Sequence, residues 1–145
     1  MNSKLKSVVT LKEGVVAEAV ARNHTIKFDE PKKDGGTDTA MNPMEGLLAA
    51  LGGCQAITAR YLAGRLNINL KNFSIEVEGD FDMSGYEEDP TNIGFHTIQL
   101  TMHIDADNTK EEIDKFAKLV ETKCPVSATV QHAETVLPTK IVYGK

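Results

Sequence analysis

Two cysteines stand in this chain of 145 residues, each in a setting that bears on thiol chemistry. Cys54 follows a glycine pair within NPMEGLLAALGGCQAITARYLAGRL, residues 42–66. Cys124 directly precedes Pro125 in CPVSATV. The thiolate is the nucleophile, so the chemistry turns on what would ionise either thiol. On an ideal helix Cys54 shares its face with Leu47, Ala50, Leu51, Ile57, Thr58 and Tyr61. Those apolar neighbours alone raise a thiol pKa and make an inert, packed cysteine. A reactive Cys54 needs a cation from elsewhere in the fold. Arg22, beside His24 at a strand start, suits that role better than Arg60, which points away from Cys54 on a regular helix; a solvated strand-end charge is the alternative for Arg22. Arg65 reads as a helix-end charge. Glu45 reads as the N3 carboxylate of a capping box. It lies ~13 Å along the helix axis from Cys54 and would reach the thiol only through a bridging arginine. Cys124 sits at an expected helix start, where free N–H groups and the helix dipole favour a thiolate. A cysteine packed at a helix junction is its alternative, and periodicity does not say whether the two thiols meet.

The elements that must hold these residues are legible in the pattern. Asn42 suits an N-cap and Pro43 the first helical position, and Gly46 to Ala59 carries no charge. A helix apolar on every side is a buried helix, and this one is too short for a bilayer, which takes ~20 apolar residues. Gly52 and Gly53 each cost ~1 kcal/mol relative to alanine there, which implies that a strand or a substrate approaches the backbone closely. Ahead of it, Ser7–Leu11, Val15–Ala21 and His24–Asp29 read as three strands, the first two joined by Lys12-Glu13-Gly14. A polar, Gly-rich loop, EPKKDGGTDTAM, leads into the helix. Phe73, Ile75 and Val77, and then Ile98, Leu100, Met102 and Ile104, alternate with polar residues in two strands expected to pair antiparallel around the acidic loop DMSGYEEDPTNIG. Thr109 to Glu112 is a capping-box signature ahead of the stripe Ile113, Phe116, Ala117 and Val120. Pro125 can open a short helix, and Thr139 to Tyr143 reads as a last strand. The order βββ-α-ββ-α-β describes a single α+β domain over residues 1–145, with curved antiparallel sheets wrapped around a long buried central helix.

Composition removes several function classes. Hydrophobic residues at 41% and charged residues at 26% are ordinary for a globular domain. A net charge of −5 argues against nucleic acid and anionic membranes as partners. The N-terminus MNSKLKSVVTLKEGVV lacks the apolar run of a signal peptide, so a cytoplasmic protein is expected, with its two cysteines free or paired for function. His24, His96, His103 and His132 show no close metal-ligand spacing, and no nucleotide-binding loop or G-x-S-x-G elbow is present. No metal and no cofactor are expected.

NPMEGLLAALGGC, with CPVSATV about half a chain later, resembles the OsmC/Ohr family of osmotically inducible and organic hydroperoxide resistance proteins. The loop DEPKKDGGTDTAMNP is similar to the one before that family's core helix, and the resemblance covers nearly the whole chain. In the hydroperoxide-resistance branch the active-site glutamate directly follows the proline; here Met44 stands there and Glu45 comes one residue later, which looks closer to the OsmC-like branch. The resemblance implies an intertwined homodimer with active sites at the subunit interface. It also implies a thiol peroxidase for organic hydroperoxides, with a dihydrolipoyl-type dithiol as reductant. Cys54 then matches the peroxidatic cysteine and Cys124 the resolving one, with Glu45 and, by position, Arg22 completing the site. Leu47, Leu51, Ile57 and Tyr61 would favour an apolar hydroperoxide over hydrogen peroxide. The alternative is a non-catalytic OsmC-like module that binds an apolar ligand. A dimer is also expected because so apolar a helix needs more cover than one small sheet supplies.

Overall fold

Short alternating runs and tight turns build the first sheet. β1 (Val8–Leu11), β2 (Ala17–Ala21) and β3 (His24–Phe28) pair antiparallel in that order, with Val9 opposite Ala19 and Ala19 opposite Ile26. Gly14 turns the first hairpin at φ 63°. The second turns in two residues, Arg22 and Asn23, between the pair Ala21 and His24, with Arg22 itself in the left-handed region at φ 57°. The structure, a computed structural model, describes residues 2–87, 93–132 and 136–142. Its contacts group the chain into two compact units, residues 1–49 and 50–145.

In the first unit the polar loop after β3 is organised by one carboxylate. Asp29 is 1% exposed. It accepts hydrogen bonds from the N–H groups of Glu30 at 2.8 Å, Thr37 at 3.2 Å and Thr39 at 3.1 Å, and from the hydroxyls of Thr37 at 2.5 Å and Thr39 at 2.8 Å. These donors, the Thr37 hydroxyl foremost, hold its pKa well below the usual carboxylate range against the opposing effect of burial. Gly36 lies so close to the Glu30 carbonyl that a Cβ there would sit 1.9 Å from the oxygen, so this turn requires glycine. The loop ends at α1 (Pro43–Arg65), where Asn42 N–H donates to Glu45 Oε1 at 2.9 Å and Glu45 N–H donates to Asn42 Oδ1 at 2.8 Å. That is the expected capping box.

In the second unit α1 ends on Asn67, whose φ of 54° lets Ile68 N–H donate back to the Ala63 carbonyl at 3.0 Å. β4 (Leu70–Asp82) and β5 (Gly94–Ala106) form a two-stranded antiparallel sheet, with Phe73 opposite Ile104, Ile75 opposite Met102 and Val77 opposite Leu100. Part of the acidic loop between them, residues 88–92, lies outside the described residues. α2 (Lys110–Lys123) begins with the Thr109–Glu112 capping box, and α3 (Pro125–Val130) follows at once. Ala59, Ala63, Ile68, Phe116 and Val120 form the buried core, with Phe73, Met102 and Ile104 packed against it. No helix of the described residues is long and apolar enough to cross a membrane.

Two expectations are corrected. Residues 139–142 form no strand, and Tyr143 lies outside the described residues, so the order among the described residues is βββ-α-ββ-α-α. A strand needs an edge to pair with, and here Val136, Leu137, Ile141 and Val142 are all at least 71% exposed. The central helix, expected to be buried on every side, is buried along one stripe only, at Leu51, Gly52, Gln55, Ala59 and Ala63. Ile57 and Tyr61 remain 59% and 70% exposed. The apolar composition is real, but one chain covers only one side of the helix.

Phe116 is fully buried in the core. Phe116→Ala should cost about 3–5 kcal/mol in urea unfolding; a loss below about 1 kcal/mol would show that α2 is not held by this contact.

Candidate active site

The mid-helix glycines have separate reasons. A Cβ on Gly52 would lie 3.1 Å from Val77 Cγ2 and 3.4 Å from Ile75 Cγ2, so this glycine admits β4 against the helix. A Cβ on Gly53 would meet nothing within 4 Å. Gly53 instead opens onto a cavity of about 750 Å³ beside Cys54. The first glycine serves packing, and the second keeps the wall next to the sulfur free of side chain.

The two thiols come together in this unit. Cys54 is half-buried on α1, while Cys124 is 1% exposed at the junction of α2 and α3. Both are free thiols, and Cys54 lies near enough to act on the ionisation of Cys124. Cys124 Sγ accepts the Ser127 N–H at 3.4 Å, as the N-cap of α3. Burial pushes the Cys124 thiol up, the Ser127 N–H pulls it back in part, and the neighbouring Cys54 pushes it further up. The expected thiolate at this helix start is therefore corrected. Six residues of helix and the backbone N–H groups at its start do not offset the loss of water around a buried sulfur.

The cavity is lined by α1 and by the α2–α3 junction, all within residues 50–145. Ile57, Thr58 and Tyr61 form its apolar wall with Pro125, and Arg65 and Lys123 are its two cations. Of the expected substrate-contacting residues, Ile57 and Tyr61 line this space. Leu51 does not, being 3% exposed on the buried stripe of the helix. Leu47 belongs to the first unit and is 38% exposed. Arg22 and Glu45 also belong to the first unit, one in the β2–β3 turn and the other with its carboxylate engaged at the α1 cap.

Arg65 and Lys123 are the residues that a reading of helix ends misses. A signal for Arg65 was present: eleven residues are about three turns, which returns it to within ~20° of the Cys54 direction on a regular helix. Lys123 adjoins Cys124 in sequence, but nothing in the sequence alone brings Cys124 to Cys54.

An α+β chain with a half-buried thiol beside a buried one, at the wall of an apolar cavity, defines a class of dithiol protein. Residues 36–137 match the family described as OsmC-like protein, and the chain belongs to that family. It is 27% identical over 133 residues to the hydroperoxide reductase of Mycoplasma genitalium, covering 90% of this chain and 89% of that one. The crystal structure of an OsmC like protein from Mycoplasma pneumoniae is similar with a TM-score of 0.80 and 26% identity, covering 92% and 91% of the two chains. An osmotic stress protein from Psychrobacter arcticus shares the fold with a TM-score of 0.73 at 19% identity, covering 92% and 93%.

Because Cys54 contributes to raising the Cys124 pKa, Cys54→Ser should let Cys124 ionise at lower pH than in the parent chain, though still above an exposed thiol of about 8.5. Alkylation rate against pH measures this, and an unchanged or higher midpoint would mean the two sulfurs do not interact.

Proposed function

We propose that this protein is a thiol-dependent peroxidase that reduces organic hydroperoxides in defence against oxidative stress. The observation that supports it best is the half-buried Cys54, which faces a largely apolar cavity and lies beside the buried Cys124. The Mycoplasma relatives named hydroperoxide reductase point the same way.

In this reading the Cys54 thiolate attacks the terminal oxygen of the hydroperoxide. The O–O bond breaks, the alkoxide takes a proton and leaves as the alcohol, and Cys54 carries S–OH. Cys124 then attacks the Cys54 sulfur. An S–S bond forms, and the hydroxyl leaves with the Cys124 proton as water. A dithiol reductant of the dihydrolipoyl kind returns two electrons and two protons. A buried Cys124 kept protonated suits the resolving role, since it waits until the sulfenic acid forms beside it. Arg22 and Glu45 carry the roles that the family resemblance implies, with the guanidinium favouring thiolate and developing alkoxide. Both compact units belong to one functional domain, since α1 begins in the first and ends in the second.

Cys54→Ser should abolish consumption of cumene hydroperoxide, while Cys124→Ser should still accumulate one sulfenic acid, detected by dimedone labelling. Arg22→Ala should slow the first step with the fold intact. Retained turnover in Cys54→Ser would end the peroxidase reading, and thiols untouched by the hydroperoxide would leave the apolar-ligand module in its place.

The active form is proposed to be a homodimer. Ile57 and Tyr61 on α1 and the apolar segment around Ile141 are exposed in one chain, and a second copy would cover them and close the cavity. Sedimentation at low micromolar concentration should return about twice the chain mass of 15.8 kDa. A monomer at that concentration would remove the interface from the proposal.

A further inference from the structure

Gln55 carries an amide that the fold buries without pairing it. The residue is fully buried on the packed stripe of α1, ~100° round the helix from Cys54. Neither Nε2 nor Oε1 has a hydrogen-bond partner among the described residues. A buried amide in that condition opposes folding, and the loss is recovered only when a partner satisfies it.

The same residue lines a cavity of about 410 Å³ formed by α1, β5 and α2 within the second unit. No lining residue is shared with the cavity beside Cys54. Leu100 and Met102 of β5 and Ala117 of α2 give it apolar walls. Its charged residues, Asp114, Lys118 and Glu121, are all exposed and all belong to α2. Lys110 holds Asp114 at 2.7 Å, while Lys118 and Glu121, opposite in sign, enter no ion pair among the described residues. The rim therefore balances in charge. The amide atoms are closed to solvent, so a ligand reaches them when the exposed ends of Lys118 and Glu121 give way.

The chemistry of an amide restricts what can fill this space. Gln55 offers two N–H donors and a carbonyl acceptor side by side. A carboxylate would accept the N–H groups and repel Oε1. An ammonium would donate to Oε1 and leave Nε2 unpaired. A neutral carboxamide carries an acceptor and a donor at matching spacing and satisfies both atoms at once. We propose that this cavity is a second binding site, for small neutral molecules with a carboxamide-type group on an apolar body, and that Gln55 is the residue that recognises the amide. Its volume lies within the range of small-molecule sites. The site uses none of the residues of the peroxidase reading and does not rest on it.

Three probes of one shape and different charge test it: benzamide, benzoate and benzylamine. In the full chain, an NMR titration with benzamide should shift the Gln55 side-chain NH₂ signals and the methyl signals of Leu100 and Met102. Benzoate and benzylamine should bind about tenfold more weakly or less. Gln55→Met keeps the length of the side chain and removes the amide, so its affinity for benzamide should fall about tenfold, while its melting temperature without probe should rise by about 2–4 °C. Ala117→Leu leaves the amide in place and fills the cavity; it should also abolish benzamide binding, and it decides the matter if Gln55→Met does not fold. Binding that survives in either folded variant, equal binding of the three probes, or benzamide signals at Ile57 and Tyr61 in place of Gln55 would overturn the proposal. Gln55 NH₂ signals untouched by benzamide would overturn it too, since solvent alone then satisfies the amide.

Discussion

A helix with no charge from Gly46 to Ala59 has to be covered, and the rest of the second unit is arranged by that constraint. β4 reaches it at Gly52, where the absence of a side chain lets Val77 and Ile75 close on the backbone. α2 supplies Phe116 and Val120 to the same core, next to Ala59 and Ala63. Small residues on the buried stripe let large ones from the neighbouring elements fill the space, as close packing requires. The opposite side of the helix has no such cover among the described residues of the second unit, and there the glycine, the sulfur and the cavity are found.

The division of the helix into a packed side and an open side also divides the two thiols. Cys54 belongs to the open side and keeps access to a ligand. Cys124 is enclosed at the α2–α3 junction, where burial outweighs the backbone N–H groups that act on its sulfur. Two chemically identical groups thus acquire different access and different surroundings, and burial raises the proton affinity of Cys124. A pair in which one sulfur is accessible and the other stays protonated is the asymmetry that a two-step thiol reaction uses.

Polar side chains set local geometry where the apolar residues cannot. The Asp29 carboxylate gathers the N–H and hydroxyl groups of Thr37 and Thr39 into one centre, so a loop with little apolar content has a defined course. Asn42 and Glu45 exchange hydrogen bonds at the start of α1, and Thr109 and Glu112 do the same at α2. In each case a short side chain satisfies backbone donors that the helix or turn leaves free.

Periodicity and capping signals were enough to locate β1 to β5, the long helix and the amphipathic second helix, because each depends on neighbours within a few residues. The register of Phe73 with Ile104 is compatible with the same alternation, which excludes a slip by one residue because that would turn the apolar side outward. What the sequence could not determine depends on residues far apart along the chain. The meeting of Cys54 with Cys124 is one case, and the raised pKa of a cysteine at a helix start is another. The different tasks of Gly52 and Gly53 are a third, since adjacent identical residues differ only in what stands opposite them. Residues 139–142 have the composition of a strand, but pairing requires an edge, and composition does not supply one. Arg65 carried a weak spacing signal and Lys123 none; the cavity joins them because tertiary packing brings the end of α2 beside α1.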